Sequence, residues 1–278
     1  MGVKRWLALL PLLALVVLAT ACGTRDALEL DPVASAASKT DEAGSSRVAF
    51  EARTTGLGRE FVLKGEGAFD YEAGSGTLQL DASALVPGAG DGRVELRSVG
   101  SKLFLRLPES LAAWLPTPKR WVALGVGKSL DAFGLGSVNP NGLQQDPAEL
   151  LRLLRASSAE VKESGSAVVR GVGTTRYTAK LDLAKAVDAN AESLGLTERE
   201  RAQLRQAVEE LRRESGLDAI PVEVYIDSEG MLRRTSLTLT LELEGRRVSL
   251  AQTTDYYDFG ADVDVQAPPA SQVLDLNG

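Results

Sequence analysis

From Ser46 to Leu107 apolar residues recur at every second position: Val48, Phe50 and Ala52, then Phe61 and Leu63, Leu78 and Leu80, Val94 and Leu96, and Leu103, Leu105 and Leu107. Polar neighbours fill the alternate places, so each run predicts a strand with one buried and one wet face. Gly56, Gly58, the stretch 74–76 and the stretch 88–92 fall between the runs as turns, the punctuation of an antiparallel meander. Gly65 and Gly67 lie inside a run and predict a bulge or a bend. The last third repeats the pattern more strongly: Val222, Val224 and Ile226, a turn at 227–230, then Leu237, Leu239, Leu241 and Leu243, then Val248 and Leu250. A large antiparallel sheet is the expected scaffold.

Helical periodicity interrupts these strands in a few places. Asp31 and Pro32 read as the N-cap and first-turn proline of a helix closed by Gly44, with Val33, Ala36, Ala37 and Thr40 on one face. A short helix is expected at 109–115, and another opens at Asp146-Pro147-Ala148-Glu149 and buries Leu150, Leu151, Leu153 and Leu154. Strands are expected at 160–162, 168–169 and 176–181, then a short helix at 182–189. Thr197-Glu198-Arg199-Glu200 is a capping box for a longer helix to about Glu214, on which Leu204, Val208 and Leu211 share a face. Residues 108–145, with Pro108, Pro116, Pro118, Trp114 and Trp121, read as an irregular surface excursion and a candidate lid or portal; an ordinary crossing pinned by its tryptophans is the competing reading. Pro268 and Pro269 mark the expected end of order.

The amino-terminal residues carry an address. Lys4 and Arg5 precede a 14-residue apolar run, 6–19, broken only by Pro11. Such a run reaches roughly 21 Å as a helix, short of the ~30 Å hydrocarbon core, so it reads as the core of a signal peptide rather than a membrane span. Leu18-Ala19-Thr20-Ala21-Cys22-Gly23 resembles a bacterial lipobox, with Ala19 where the usual leucine stands and Leu18 one step earlier. The resemblance implies cleavage after Ala21 and a thioether-linked diacylglycerol on Cys22, usually joined by an amide-linked acyl chain. Two or more chains make a stable anchor. A conventional signal peptide followed by an incidental cysteine is the competing reading.

Composition narrows the chemistry. The chain has 278 residues, 44% hydrophobic and 25% charged, enough for a sizeable core. It has no histidine, and Cys22 is its one cysteine. That removes Ser-His-Asp and Cys-His catalysis and the commonest metal ligand, and it leaves the domain without a disulfide. Loss of Lys4 and Arg5 with the leader takes the formal charge from −7 to −9, which disfavours nucleic acid as a partner. Gly125-Val126-Gly127-Lys128-Ser129 lacks the leading glycine of a phosphate-binding loop, whose place Val122 holds. Asp255, Asp258, Asp262 and Asp264 lack a calcium-loop register. No metal and no cofactor are expected, and no carboxylate pair is singled out for catalysis.

Over about Asp31 to Pro269 the chain resembles the LppX/LprG group of actinobacterial lipoproteins, similar in fold to the LolA and LolB carriers. The resemblance is carried by Ala43-Gly44-Ser45-Ser46, by Asp146-Pro147-Ala148-Glu149-Leu150-Leu151, and by Gly171-Val172-Gly173-Thr174-Thr175-Arg176-Tyr177 leading into Leu181-Asp182-Leu183. It continues through Pro221-Val222-Glu223-Val224-Tyr225-Ile226-Asp227, Gly230-Met231-Leu232-Arg233-Arg234, Asp258-Phe259-Gly260 and Ala267-Pro268-Pro269. Arg176 stands where relatives often have histidine. The resemblance implies an α+β fold: a large curved antiparallel sheet, or half-barrel, with helices packed on its concave face around an apolar cavity for acyl chains. It also implies a non-enzymatic envelope lipoprotein that binds or carries a lipid or glycolipid.

The expected organisation is a signal peptide at 1–21, a lipidated start and spacer at 22–30, one lipid-binding domain at 31–267 and a flexible tail at 268–278. The membrane, through the anchor on Cys22, and an acylated ligand are the expected partners, on the extracytoplasmic face. Candidate cavity-lining residues are Leu204, Val224, Ile226, Leu237, Leu239 and Leu241. The competing reading packs these residues as a solid core and makes the chain a tethered interaction or sensory module. Replacing Cys22 with alanine is expected to abolish incorporation of labelled fatty acid and to move the protein from the membrane to the soluble fraction; labelling that persists in the variant refutes the anchor.

Overall fold

The alternating pattern folds into one sheet. In the computed structural model the described residues are 32–56, 58–81, 83, 92–100, 102–112, 117–125, 151, 154, 156, 158–190, 197–215, 219–243 and 246–275. Among them are strands β1 (Ser45–Thr55), β2 (Phe61–Asp70), β3 (Ser75–Asp81), β4 (Arg93–Val99), β5 (Lys102–Arg106) and β6 (Trp121–Gly125). The second half contributes β7 (Ser158–Val169), β8 (Val172–Asp182), β9 (Ala219–Asp227), β10 (Leu232–Leu243), β11 (Arg246–Tyr257) and β12 (Val273–Asp275). Their order is β12-β6-β5-β4-β3-β2-β1-β11-β10-β9-β8-β7. The first six strands meander outward from β1, and the next five start at the far edge and meander back until β11 pairs with β1. Every pairing is antiparallel except β12 with β6.

Among the described residues few helices accompany the sheet, and these residues are mostly β. Helix α1, residues 32–42, follows the expected stripe: Val33, Ala36, Ala37 and Thr40 are all buried. Thr40 is polar in this apolar setting, and its Oγ1 accepts the N–H of Leu232 at 3.2 Å, so the hydroxyl fastens α1 to the start of β10. Gly44 ends α1 at φ +67°, a conformation that suits glycine. Helix α2 (Glu109–Ala112) is a single turn. Helix α3 (Leu183–Asn190) is capped by Asp182, whose Oδ1 accepts the N–H groups of Ala184 and Lys185. Helix α4 (Glu198–Ser215) opens on the predicted box: Glu200 Oε2 accepts the N–H of Thr197 at 2.8 Å and Thr197 Oγ1 accepts the N–H of Glu200 at 3.3 Å.

Four expectations change. The excursion at 108–145 contains a strand, β6, because Trp121, Val122 and Ala123 are buried between β5 and β12. Within the tail expected at 268–278, a turn of 3₁₀ helix (Ala270–Gln272) is followed by β12, since the β6 edge offers unpaired backbone groups that residues 273–275 satisfy; 276–278 lie outside the described residues. The separate strands expected at 160–162 and 168–169 are one strand, β7, whose register shifts between Glu163 and Ser166 around Gly165 at φ +118°. Of the bulge or bend expected at Gly65 and Gly67, no bulge forms, since neither carries a register shift. They mark close approach, because a Cβ at Gly65 would stand 2.8 Å from the Gln79 carbonyl oxygen on β3. The N-cap expected at Asp31, and Leu150 and Leu153, lie outside the described residues.

Asp227 organises the turn between β9 and β10. Its Oδ1 accepts the N–H groups of Glu229 and Met231, each at 2.9 Å, and its Oδ2 accepts Arg233 Nε at 2.5 Å. The Arg233 guanidinium also lies 5.1 Å from the centre of the Phe259 ring. Asp227→Ala leaves two amides and a largely buried guanidinium without an acceptor, so urea unfolding is expected to lose about 3–5 kcal/mol. A loss under 1 kcal/mol, below the ~0.5–1.5 kcal/mol of one ordinary hydrogen bond, would show that water replaces the carboxylate.

Candidate functional site

Register carries one apolar face from strand to strand. On β10 and β11, Leu239 lies opposite Leu250 and Leu241 opposite Val248. Leu250 then faces Thr54 on β1, and Thr54 faces Phe61 on β2, while Ala52 faces Leu63 and Phe50 faces Gly65. The face continues through Leu80 on β3 and Val94 on β4. On the other flank Leu237 lies opposite Val222, which faces Ala179, and Val224 faces Tyr177.

This face has two unlike halves. In the half nearer α1, Val48, Phe69, Leu78, Leu96, Leu232 and Tyr256 are buried in one cluster with Val33, Ala36, Ala37, Leu151 and Leu154. In the half nearer the β1–β2 and β10–β11 hairpins, Phe61, Leu63, Leu239, Leu241, Val248 and Leu250 are only half-buried, and none belongs to that cluster. These half-buried residues form a contiguous apolar group on adjacent strands, and α4 contacts β10.

The sequence-predicted residues divide between these halves. Val224 and Ile226 sit in the packed cluster, Leu237 packs against it half-buried, and Leu239 and Leu241 stand in the open half. Leu204, on α4, is 39% exposed. Cys22 lies outside the described residues. Phe61, Leu63, Val248 and Leu250 were not singled out by sequence, although their alternation was visible; the strands that would adjoin them were not.

The opposite face is polar and internally paired. Arg234 donates to both oxygens of Asp255, at 2.5 and 2.9 Å, and lies 5.9 Å from the Tyr225 ring. Tyr225 donates to Glu223 at 2.7 Å, and Glu223 lies 3.7 Å from Arg176. Arg176 donates to the hydroxyl and carbonyl of Ser164, pinning the shifted segment of β7. The Asp255 carboxylate holds the Arg234 guanidinium above its ordinary pKa. An open cleft of about 690 Å³ lies on this face beside Glu51, Lys64, Glu66, Asp81, Arg93 and Asp255. Beside this cleft, hydrogen bonds from Arg53 and Lys64 lower the Glu51 carboxyl below its usual range.

No protein-family model matches the chain. It is 26% identical over 257 residues to an uncharacterized 31.2 kDa protein of the rplA–rplJ intergenic region in Streptomyces griseus, covering 88% of this chain and 79% of that protein. Among solved structures it is similar to the lipoprotein LppX of Mycobacterium tuberculosis, with 16% identity and a TM-score of 0.47 over 87% of this chain and all of LppX. LprF of Mycobacterium bovis is similar over 86% of this chain and 96% of its own, with 11% identity and a TM-score of 0.42. A LolA superfamily protein of Nitrosomonas europaea is similar over 80% and 94%, with 9% identity and a TM-score of 0.29.

Two tyrosines report on the two faces. Burial raises the phenols of Tyr177 and Tyr225 above the ordinary value of 10, aided by Glu163 and by Glu223 respectively. The unfolded chain therefore releases these protons first, so stability is expected to fall as pH rises from about 10 through the higher folded values. Ultraviolet titration should show Tyr177 and Tyr225 among the late phenols, with one late phenol lost in Tyr225→Phe; ionisation of all tyrosines together would contradict the assignment.

Proposed function

We propose that this chain is an envelope lipoprotein, anchored through Cys22, whose sheet takes up the acyl chains of a lipid or glycolipid on its apolar face. The observation that carries the reading is the division of that face into a packed half under α1 and a half-buried, contiguous half beside the hairpins. From β3 to β10 across β2, β1 and β11 the face spans about 20 Å, and each methylene covered there contributes about 0.8 kcal/mol. Close approach of β3 to β2 at Gly65 and Gly67 supports a sheet that bends toward the same side, as a half-barrel requires. In this reading residues 31–267 form the ligand-binding domain and the protein performs no catalysis. The sequence resemblance to the LppX/LprG group points the same way.

The charged cleft on the polar face favours a second reading, an interaction module that meets another envelope protein there. Native mass spectrometry separates the two. Protein purified from lipid-rich membranes is expected to carry lipid, and Leu239→Asp is expected to lose it while keeping its circular dichroism, because Leu239 stands outside the packed cluster. Wild-type protein that is always bare, under conditions where a protein partner co-purifies, would refute lipid carriage.

A further inference from the structure

Two hairpins frame the open half of the apolar face. They touch: Gly56, at φ +95° in the β1–β2 turn, approaches the start of β11 so closely that a Cβ there would stand 2.9 Å from Val248 Cα. Their charges are not balanced. Arg59 is exposed, and its guanidinium carbon lies 4.3 Å from the centre of the Phe61 ring, which itself lies on the apolar face opposite Thr54. The adjoining Glu60 is engaged by Arg53. Arg247 reaches Glu242 only at 3.9 Å. Arg59 and Arg246 have no carboxylate partner among the described residues.

A guanidinium stacked on a ring keeps its N–H edge free, and that edge matches the two oxygens of a carboxylate or phosphate. Placed where apolar side chains lower the local dielectric, the match strengthens. An acidic chain of formal charge −7 is poorly suited to a broad anionic surface, whereas a single acid group beside one exposed arginine escapes that repulsion. Resting on the lipid-binding reading above, we infer that the ligand is an acidic lipid, its chain on the Leu239–Leu250 surface and its carboxylate or phosphate at Arg59.

Displacement of a fluorescent fatty-acid probe tests this with pairs matched in chain length: palmitic acid against methyl palmitate, and dioleoylphosphatidic acid against diolein. Wild-type protein is expected to bind each acid about tenfold more tightly than its neutral partner. Arg59→Gln should abolish that preference without weakening the neutral lipids, Arg59→Lys should restore part of it, and salt should erode it. Equal affinity for acid and neutral lipids, or equal loss of both in Arg59→Gln, overturns the inference while leaving lipid carriage standing. If no lipid displaces the probe, the carriage reading itself falls. Displacement by inorganic phosphate alone would make this a free-anion site. Arg59-dependent binding of phosphatidylglycerol vesicles without an acid preference would make it a membrane contact. Either result overturns the proposal.

Discussion

Nine residue pairs between β1 and β11, from Arg47–Tyr257 to Thr55–Ser249, join the two meanders into one sheet. This register is the constraint on which everything else rests. Side chains alternate with a period of two, so a slip of one residue would turn Leu239, Leu241, Val248 and Leu250 to the polar face while β1 and β2 kept theirs. The buried half of the apolar face resists such a slip, because Val48 and Tyr256 are opposite each other in the cluster under α1. Packing near α1 thus fixes the alignment of strands whose other ends remain half-covered.

The two faces then divide the work by chemistry. On the polar side, the chain from Asp255 through Arg234, Tyr225, Glu223 and Arg176 to Ser164 crosses five strands from β11 to β7. Most of its members are partly exposed, so each link contributes little stability alone; together they hold side chains in one arrangement. The apolar side has no comparable directional restraint. On its half-buried part dispersion and water release depend on area rather than on aligned donors.

Local features were legible where the interaction is local. The stripe Val33, Ala36, Ala37 and Thr40 predicted the buried face of α1, and the Thr197–Glu200 capping box forms as read, because each depends on residues within a turn or two. The strand β6 was hidden in a proline-rich stretch, and β12 followed two prolines in what read as a tail; each becomes a strand by pairing with a segment distant in sequence. The candidate face was half legible. Leu237, Leu239 and Leu241 showed their alternation, but their neighbours Phe61 and Leu63 come from a strand more than 170 residues earlier. Leu204 shared a helical stripe and is nevertheless 39% exposed, since an amphipathic pattern does not decide how completely a helix is covered.

The sequence by itself determined the alternation of the strands, the capping box at Thr197–Glu200 and the absence of histidine, because these are properties of neighbouring residues or of composition. Only the tertiary structure decided which apolar runs lie side by side, which half of their shared face packs under α1, and that Arg59 stacks at the margin of the half-buried half on Phe61. Those outcomes depend on strand register and on contacts between residues far apart in the chain, which no local pattern encodes.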